Sequence, residues 1–365
     1  MRDYIKNSKQ VDMFLGSIDP VIIEFQFSNH PKVIFKKALE IITNLAEKFV
    51  YEAIPKSKAV VGRKQFDPLF MMQVIIVARR FGLTDKEMEI QLKTDILIQY
   101  LLGFKAIDYK ALPSAKTIWK YRNLFEKAGF MRTLFELSVD MNYDFDYEVL
   151  NTEDLIIDSS FCIVPRQRNT REENQIIKDG KGNELWNDNV NKKRHKDIDA
   201  TWTKKRNETF YGYKAHVKCG VLSKVIYEVF TTTASTNDSK IIIPLLEWRD
   251  TDKKLYLDAG YYGAESLEKI ISDYRIELNI CERAFRGHPL TEEQKQSNRV
   301  KSKKRCRIEH VFGFIEQSMK GFIARTIGLK RAENSNYLTC AVYNISRCLQ
   351  LMLNPPEWHI PFEDE

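Results

Sequence analysis

An α/β domain built on a mixed sheet, preceded by an all-helical N-terminal region, is the fold class that this sequence predicts. Two observations carry it. Before about residue 150 the apolar residues recur at helical spacing, and beyond it they gather in short β-branched or aromatic runs separated by amphipathic helical stretches. A third observation, the length of 365 residues, allows roughly two domains and a substantial core. With 43% apolar and 29% charged residues, the composition is that of a soluble globular chain and excludes collagen-like or wholly disordered ones. The longest nearly unbroken apolar run, LFMMQVIIVA at 69–78, is far short of the roughly 20 residues that a membrane span needs. The opening MRDYIKNSKQVDMF lacks the apolar stretch of a secretory signal, so a cytoplasmic protein is expected. A formal net charge of +7 permits nucleic acid without demanding it.

Residues 1–58 are expected to form an N-terminal helical arm, in which 32–53 sets Ile34, Leu39, Ile42, Leu45 and Phe49 three to five residues apart with charge between them. Residues 59–148 are expected to form a second helical unit. There, Asp67 in N-cap position and Pro68 at the first helical position open a buried helix over 67–81 that Gly82 ends. Another helix follows Thr84–Asp85, and one more runs from Ser114 to a stop at Gly129. That last helix carries Lys116, Lys120 and Arg122 against Ile118, Trp119, Leu124 and Phe125, a pattern that suits either a DNA-reading helix or a packing helix with a solvated face.

The α/β unit is expected over 149–353, with a tail at 354–365. Strands are predicted at 155–160, 211–222, 224–234, 254–260 and 277–283, and helices at 239–249 and 263–274. In LIID (155–158) and LYLD (255–258) three apolar residues precede the first polar one, as in strands buried on both faces that end at the carboxyl edge of a sheet. The stretch 164–210 stands apart. It holds twelve Lys or Arg, eight Asp or Glu and almost no aliphatic residues, so a long mobile loop or a wrap along a polyanion is expected. Its basic clusters, Lys192, Lys193 and Arg194, then Lys204, Lys205 and Arg206, are interleaved with Trp186 and Trp202, which suits phosphate contact with base stacking or plain solvation. The six cysteines are scattered singly with no C-x-x-C pair, which argues against a zinc site or a disulfide framework.

Asp158 and Asp258 end two central-looking strands, facing the crevice where α/β sheets bind ligands. Either alone reads as a turn or cap aspartate. Together, at matching positions, they point to a shared site, and a metal ion is an economical way to offset their charge. A third carboxylate, Glu309, borders the stripe Ile308, Val311, Phe312, Ile315 and Met319 of a helix that must pack on the sheet. Arg305, Glu309, Gly313, Glu316 and Lys320 share an adjoining edge, so Glu309 either faces the crevice or forms an i, i+4 surface pair with Arg305. The run RVKSKKRCR at 299–307, including Lys303 and Lys304, has six basic residues and no acid, as a phosphate-holding segment would. His216 and Asp238 are further candidates beside the crevice, His216 equally as a core histidine.

LIIDSS (155–160), FYGYKAHV (210–217), TASTNDS (233–239), LYLDAGYYG (255–263) and RIEHVFGFIE (307–316) together resemble a DDE transposase of a bacterial insertion sequence. The branch resembled has a compact ribonuclease H-like, integrase-like catalytic domain. The likeness spans about residues 60 to 350, and 64–128 resembles the helical segment that precedes that domain in such proteins. One hundred residues separate the two aspartates and 51 more lead to the glutamate. The resemblance implies that Asp158, Asp258 and Glu309 form a metal-binding catalytic triad holding two Mg²⁺ or Mn²⁺ ions. The family's Tyr-x2-Arg-x3-Glu-x6-Lys signature is met at Arg305 and Glu309 only. Ser302 and Glu316 stand at the tyrosine and lysine positions, and Lys320 is the expected substitute for the phosphate contact. Implied partners are double-stranded DNA, as element terminal repeats and target, and a second copy of the chain in a dimer or larger synaptic complex near the nucleoid. The implied activity is cleavage at element ends with strand transfer. A domesticated DNA-binding protein without catalysis, or a metal-dependent nuclease without strand transfer, are the other readings.

Overall fold

The computed structural model describes residues 26–55, 65–103, 112–205, 207–262, 267–285 and 287–359. Residues 1–25 and 56–58 of the expected N-terminal arm, Arg206 and the end of the tail lie outside the described residues.

Helices come first because the chain supplies starts, stripes and stops for them. Pro31 opens α1 (Pro31–Ala53), whose buried stripe is Phe35, Ala38, Leu39, Ile42, Ala46 and Val50; the expected stripe was one position off at its end, since Phe49 is exposed. Pro68 opens α2 (Pro68–Arg80), buried almost all round. Asp67 sits at its N-cap but does not cap it, accepting instead from the Tyr51 hydroxyl at 3.0 Å. Gly82, at φ +61°, turns the chain out of α2 in the left-handed region that glycine tolerates. Then come α3 (Asp85–Thr94), started by a Thr84–Glu87 capping box, and α4 (Ile96–Leu101). Helices α5 (Ala115–Lys127), α6 (Phe130–Tyr143) and α7 (Tyr147–Thr152) complete the helical body. On α5, Trp119 is exposed rather than packed, and Arg122 is spent on an ion pair with Asp85.

The sheet has six strands: β1 (Leu155–Ile163), β2 (Thr201–Lys205), β3 (Glu208–Gly220), β4 (Ile226–Thr233), β5 (Lys254–Leu257) and β6 (Glu277–Ile280). Its order is β2-β3-β1-β5-β6, and β4 also pairs with β3. The long β3 runs antiparallel to β1 along one edge. Along the other it pairs with β2 through Glu208 to Gly212 and with β4 through Tyr213 to Cys219. β5 is parallel to both β1 and β6, so the sheet is mixed, as the expected α/β class has it.

Two local expectations fail for physical reasons. The stretch 164–200 folds rather than staying loose: α8 (Arg171–Lys178) starts from a Thr170–Glu173 capping box, and α9 (Val190–Arg194) follows it. A buried Trp186 donates to Glu173 Oε1 at 2.7 Å, with Lys192 over its ring at 5.0 Å. One indole and a few charge-assisted bonds replace the missing aliphatic core. The helix expected at 239–249 shrinks to α10 (Ile242–Leu245) between two short 3₁₀ turns, because Pro244 lacks the amide that a longer helix needs and Leu246 is extended.

Helices α11 (Leu267–Tyr274), α12 (Glu292–Arg305), α13 (Arg307–Met319) and α14 (Leu329–Leu353) cover the sheet. The stripe Ile308, Val311, Ile315 and Met319 of α13 is wholly buried, and α13 packs on β1. α14 joins the two bodies, packing on α6, α1 and α2 as well as on β4 and β3. Its Asn344 donates to Ile226 O at 2.8 Å and accepts from Ile226 N at 2.9 Å, pairing a sheet backbone that would otherwise be orphaned. Arg79 of α2 donates to Met319 O at 3.1 Å and to Gly321 O, tying the helical body to the end of α13. No helix of the described residues is long and apolar enough to cross a membrane. All six cysteines are free, and all but Cys306 are buried.

Candidate active site

Asp258 follows the end of β5 as expected, but Asp158 does not end its strand: β1 runs on to Ile163 against β3, and Asp158 stands where the parallel neighbour β5 stops. β1 is buried through Leu155, Ile156 and Ile157, and Asp158 is the first side chain to emerge. The parallel register pairs Leu155 with Leu255 and Ile156 with Tyr256. That register runs toward Asp158 on one strand and Asp258 just past the end of the other, near enough for the Asp258 charge to act on the Asp158 carboxyl. Asp258 leaves β5 into the 3₁₀ turn Ala259–Tyr261, and its Oδ1 accepts from Gly260 N at 2.8 Å. A Cβ on Gly260 would stand 3.0 Å from that oxygen, so glycine keeps the turn tight against the carboxylate.

Glu309 arrives from the other side of the crevice, in the first turn of α13, where the helix dipole favours a negative charge. α12 ends at Arg305, one residue before Cys306 leads into α13, and the Arg305 guanidinium lies between two acids. Its Nη1 donates to Asp158 Oδ2 at 3.0 Å and its Nη2 to Glu309 Oε1 at 2.9 Å. The i, i+4 pair anticipated from spacing is therefore present, but as half of a bridge across the crevice.

Burial, the largest cause, pushes the Asp158 carboxyl above the ordinary carboxylate range; the Ser159 amide opposes this, the Asp258 charge adds to it, and Arg305 and Lys205 oppose it. Tyr261 is buried with no hydrogen-bond partner for its hydroxyl among the described residues. Burial and the negative charges of Asp238, Asp158 and Asp258 push that hydroxyl far up. Sequence reasoning missed Tyr261, and its only signal was its place three residues after Asp258. Among the described residues no three His, Cys, Asp or Glu side chains stand together tightly enough to hold a metal ion. The acids at this edge nevertheless fit a hard divalent cation by chemistry, because they offer oxygen alone and leave a buried hydroxyl orphaned beside them.

Asp238 sits behind this edge, its turn packed on the Asp258 turn. It accepts from Lys214 Nζ at 2.9 Å and from Ser159 Oγ at 3.0 Å, tying the residue after Asp158 in place. His216 is fully buried, its Nε2 shares a hydrogen with Thr232 Oγ1 at 2.8 Å, and its Nδ1 lies 3.7 Å from Asp238 without a bond. Burial pulls it down to about 4, against the opposing charge of Asp238, so it is neutral at pH 7 and behaves as a core histidine.

The basic candidates divide. Lys204 and Lys205 are exposed at the end of β2, and Lys205 lies 5.9 Å from the Phe161 ring, which stacks on Phe210 at 4.0 Å. Lys303 is exposed and Lys304 half-buried in the last turn of α12, beside the carboxylates. Lys192 and Lys193 serve the local fold instead, donating to Glu173 Oε1 at 2.8 Å and Asn187 Oδ1 at 2.6 Å, while Arg194 is exposed. Trp186 is buried and unavailable for base stacking. Lys320 ends α13 about 16 Å from Glu309 at 1.5 Å per residue. Its side chain runs across Gly82, where a Cβ would meet its Cγ at 2.8 Å, so it does not reach the carboxylates.

A family model described as "Transposase DDE domain" matches residues 151–345, and one described as "Transposase domain (DUF772)" matches residues 23–124. The transposase for insertion sequence element IS1106 from Neisseria meningitidis serogroup B is 29% identical over 160 residues, covering 44% of this chain. The chain spans about half the length of that curated relative, 55%. A cryo-EM structure of the piggyBac transposase synaptic complex with hairpin DNA overlaps 87% of this chain and 74% of its own, with 9% identity and a TM-score of 0.42, below the level of a shared fold.

Proposed function

The chain belongs to the DDE transposase family, and from that premise we propose that it cuts DNA at the ends of a mobile element and joins those ends to target DNA. The observation that carries the reading is the convergence on one edge of Asp158 and Glu309, through a single guanidinium, with the Asp258 charge acting on the Asp158 carboxyl. Asp158, Asp258 and Glu309 would hold two Mg²⁺ or Mn²⁺ ions. Such ions activate water or a DNA 3′-hydroxyl and stabilise the leaving oxygen of a phosphodiester.

The chain's own residues do the rest. Lys205, Lys303 and Lys304 flank the acids and hold the DNA backbone by charge, with Lys204 and Arg194 extending that surface. Asp238, through Ser159 and Lys214, fixes the end of β1 so that Asp158 does not shift. Tyr261 is buried within reach of the charges of Asp158, Asp258 and Asp238. Two copies of the chain would bring two element ends together, with residues 59–148 as the helical unit that reads them and 149–353 as the catalytic unit.

The test is a plasmid carrying the element ends, incubated with protein and Mg²⁺. Asp258→Asn should keep its fold and its DNA binding while losing about a thousandfold or more in cleavage rate, the scale of a lost transition-state group. Cleavage at the wild-type rate would sink the assignment. Cutting without joined products in the wild type would favour a nuclease.

A further inference from the structure

We propose that Arg305 is a built-in counter-cation: it holds Asp158 and Glu309 while the site is free of metal, and divalent ions must displace it from the same two oxygens. The proposal rests on the reading of Asp158, Asp258 and Glu309 as the metal-holding set.

A guanidinium keeps its proton at any working pH, so its charge here is permanent. Nη1 and Nη2 of Arg305 each occupy one carboxylate, Asp158 Oδ2 at 3.0 Å and Glu309 Oε1 at 2.9 Å. These oxygens are the ones a bridging cation would need. Asp158 gets little else: one bond from its neighbour's amide at 2.8 Å, and repulsion from Asp258. Without a cation, Asp158 would lie against the charge of Asp258, and the exposed Glu309 would add a third acid at the crevice mouth. Arg305 supplies one positive charge against them, enough to keep the edge assembled and too little to neutralise it. The same side chain is placed to leave. It is about one-fifth exposed, it stands where α12 ends, and its neighbours Lys303, Lys304 and Arg307 are all cations. No acid on those turns other than Glu309 is there to recapture it, so release leaves a free cation on the rim of the crevice.

Displacement is competition, and competition is measurable without DNA or turnover. Mn²⁺ titrated into the full chain, followed by calorimetry and by the electron-spin signal of free Mn²⁺, should bind Arg305→Gln about tenfold or more tightly than the wild type, within the usual range of coupling between ligands. Arg305→Lys, whose point charge satisfies one carboxylate at a time, should fall between the two, and it serves in place of the Gln variant should that one fail to fold. Equal or weaker Mn²⁺ binding in a folded Arg305→Gln, or in folded Arg305→Lys where the Gln variant does not fold, overturns the proposal. Asp258→Asn separates the layers, because Asp258 lies outside the bridge. If that variant binds Mn²⁺ as the wild type does, the metal-holding set itself is wrong, whatever Arg305 does.

Discussion

Glu153, just before β1, and Asp158, its fourth residue, stand at opposite ends of the strand's buried opening run Leu155–Ile157, and burial holds both carboxyls above the ordinary range. Their surroundings differ completely. Glu153 accepts from Leu222 N at 2.7 Å, Ser223 N at 2.9 Å, the Ser223 hydroxyl and the Tyr227 hydroxyl. Gly220 makes room for it, since a Cβ there would lie 2.0 Å from Glu153 Oε1. Asp158 has one amide from its own neighbour and one displaceable guanidinium. The chain thus has the means to saturate a buried carboxylate with fixed donors and does so at one end only. The acid left under-satisfied is the one beside Asp258 and bridged to Glu309, as its proposed role at the metal-holding edge requires.

The comparison breaks first on activity. Asp158→Asn should lower DNA cleavage about a thousandfold or more while leaving the thermal midpoint unchanged or slightly raised, because a desolvated charge is removed. Glu153→Ala should do the reverse, costing about 3 kcal/mol of stability as four donors lose their acceptor, with activity per folded molecule retained. Equal destabilisation by both variants would erase the contrast.

A smaller effect concerns the neutral histidine behind the edge. His216 has its folded value near 4, below the ~6.5 of an unfolded histidine. Its contribution to stability is therefore complete above pH ~6.5. As pH falls from 6.5 toward 4 the unfolded chain takes up a proton that the folded one refuses, and roughly 3 kcal/mol is lost. Urea unfolding of the wild type and His216→Gln at pH 7 and 4.5 should show the wild type losing more; parallel losses would mean that His216 is not the group responsible. The smallest effect is on the rim: Lys303→Gln with Lys304→Gln should weaken DNA binding severalfold and flatten its slope between about 50 and 200 mM salt by up to two charges. An unchanged slope would remove α12 from the DNA surface.

Much of this edge was legible in the sequence because its signals are local. LIID and LYLD have the same length and the same polar last residue, so parallel neighbours in register run toward both aspartates. The α13 stripe likewise follows from its spacing. The Arg305 bridge was only half legible, since its second partner lies 147 residues away in sequence. Composition misled at 164–200, where the Thr170–Glu173 capping box was the overlooked sign of order and Trp186 the overlooked core. Lys320, one turn beyond the family's lysine position, was expected to substitute for it, but the helix carries it to the far end of α13, where Gly82 receives it.

Leu329–Leu353 completes the packing of both halves of the molecule while following every other described helix and strand along the chain. Until it emerges, β4 lacks the cover of Asn344 and α6 lacks its main neighbour. A nascent chain stopped before residue 329 would hold every acid of the edge yet expose apolar surface on two unfinished bodies, a substrate for chaperones and proteases. Assembly of the acidic edge is thereby tied to translation running through α14.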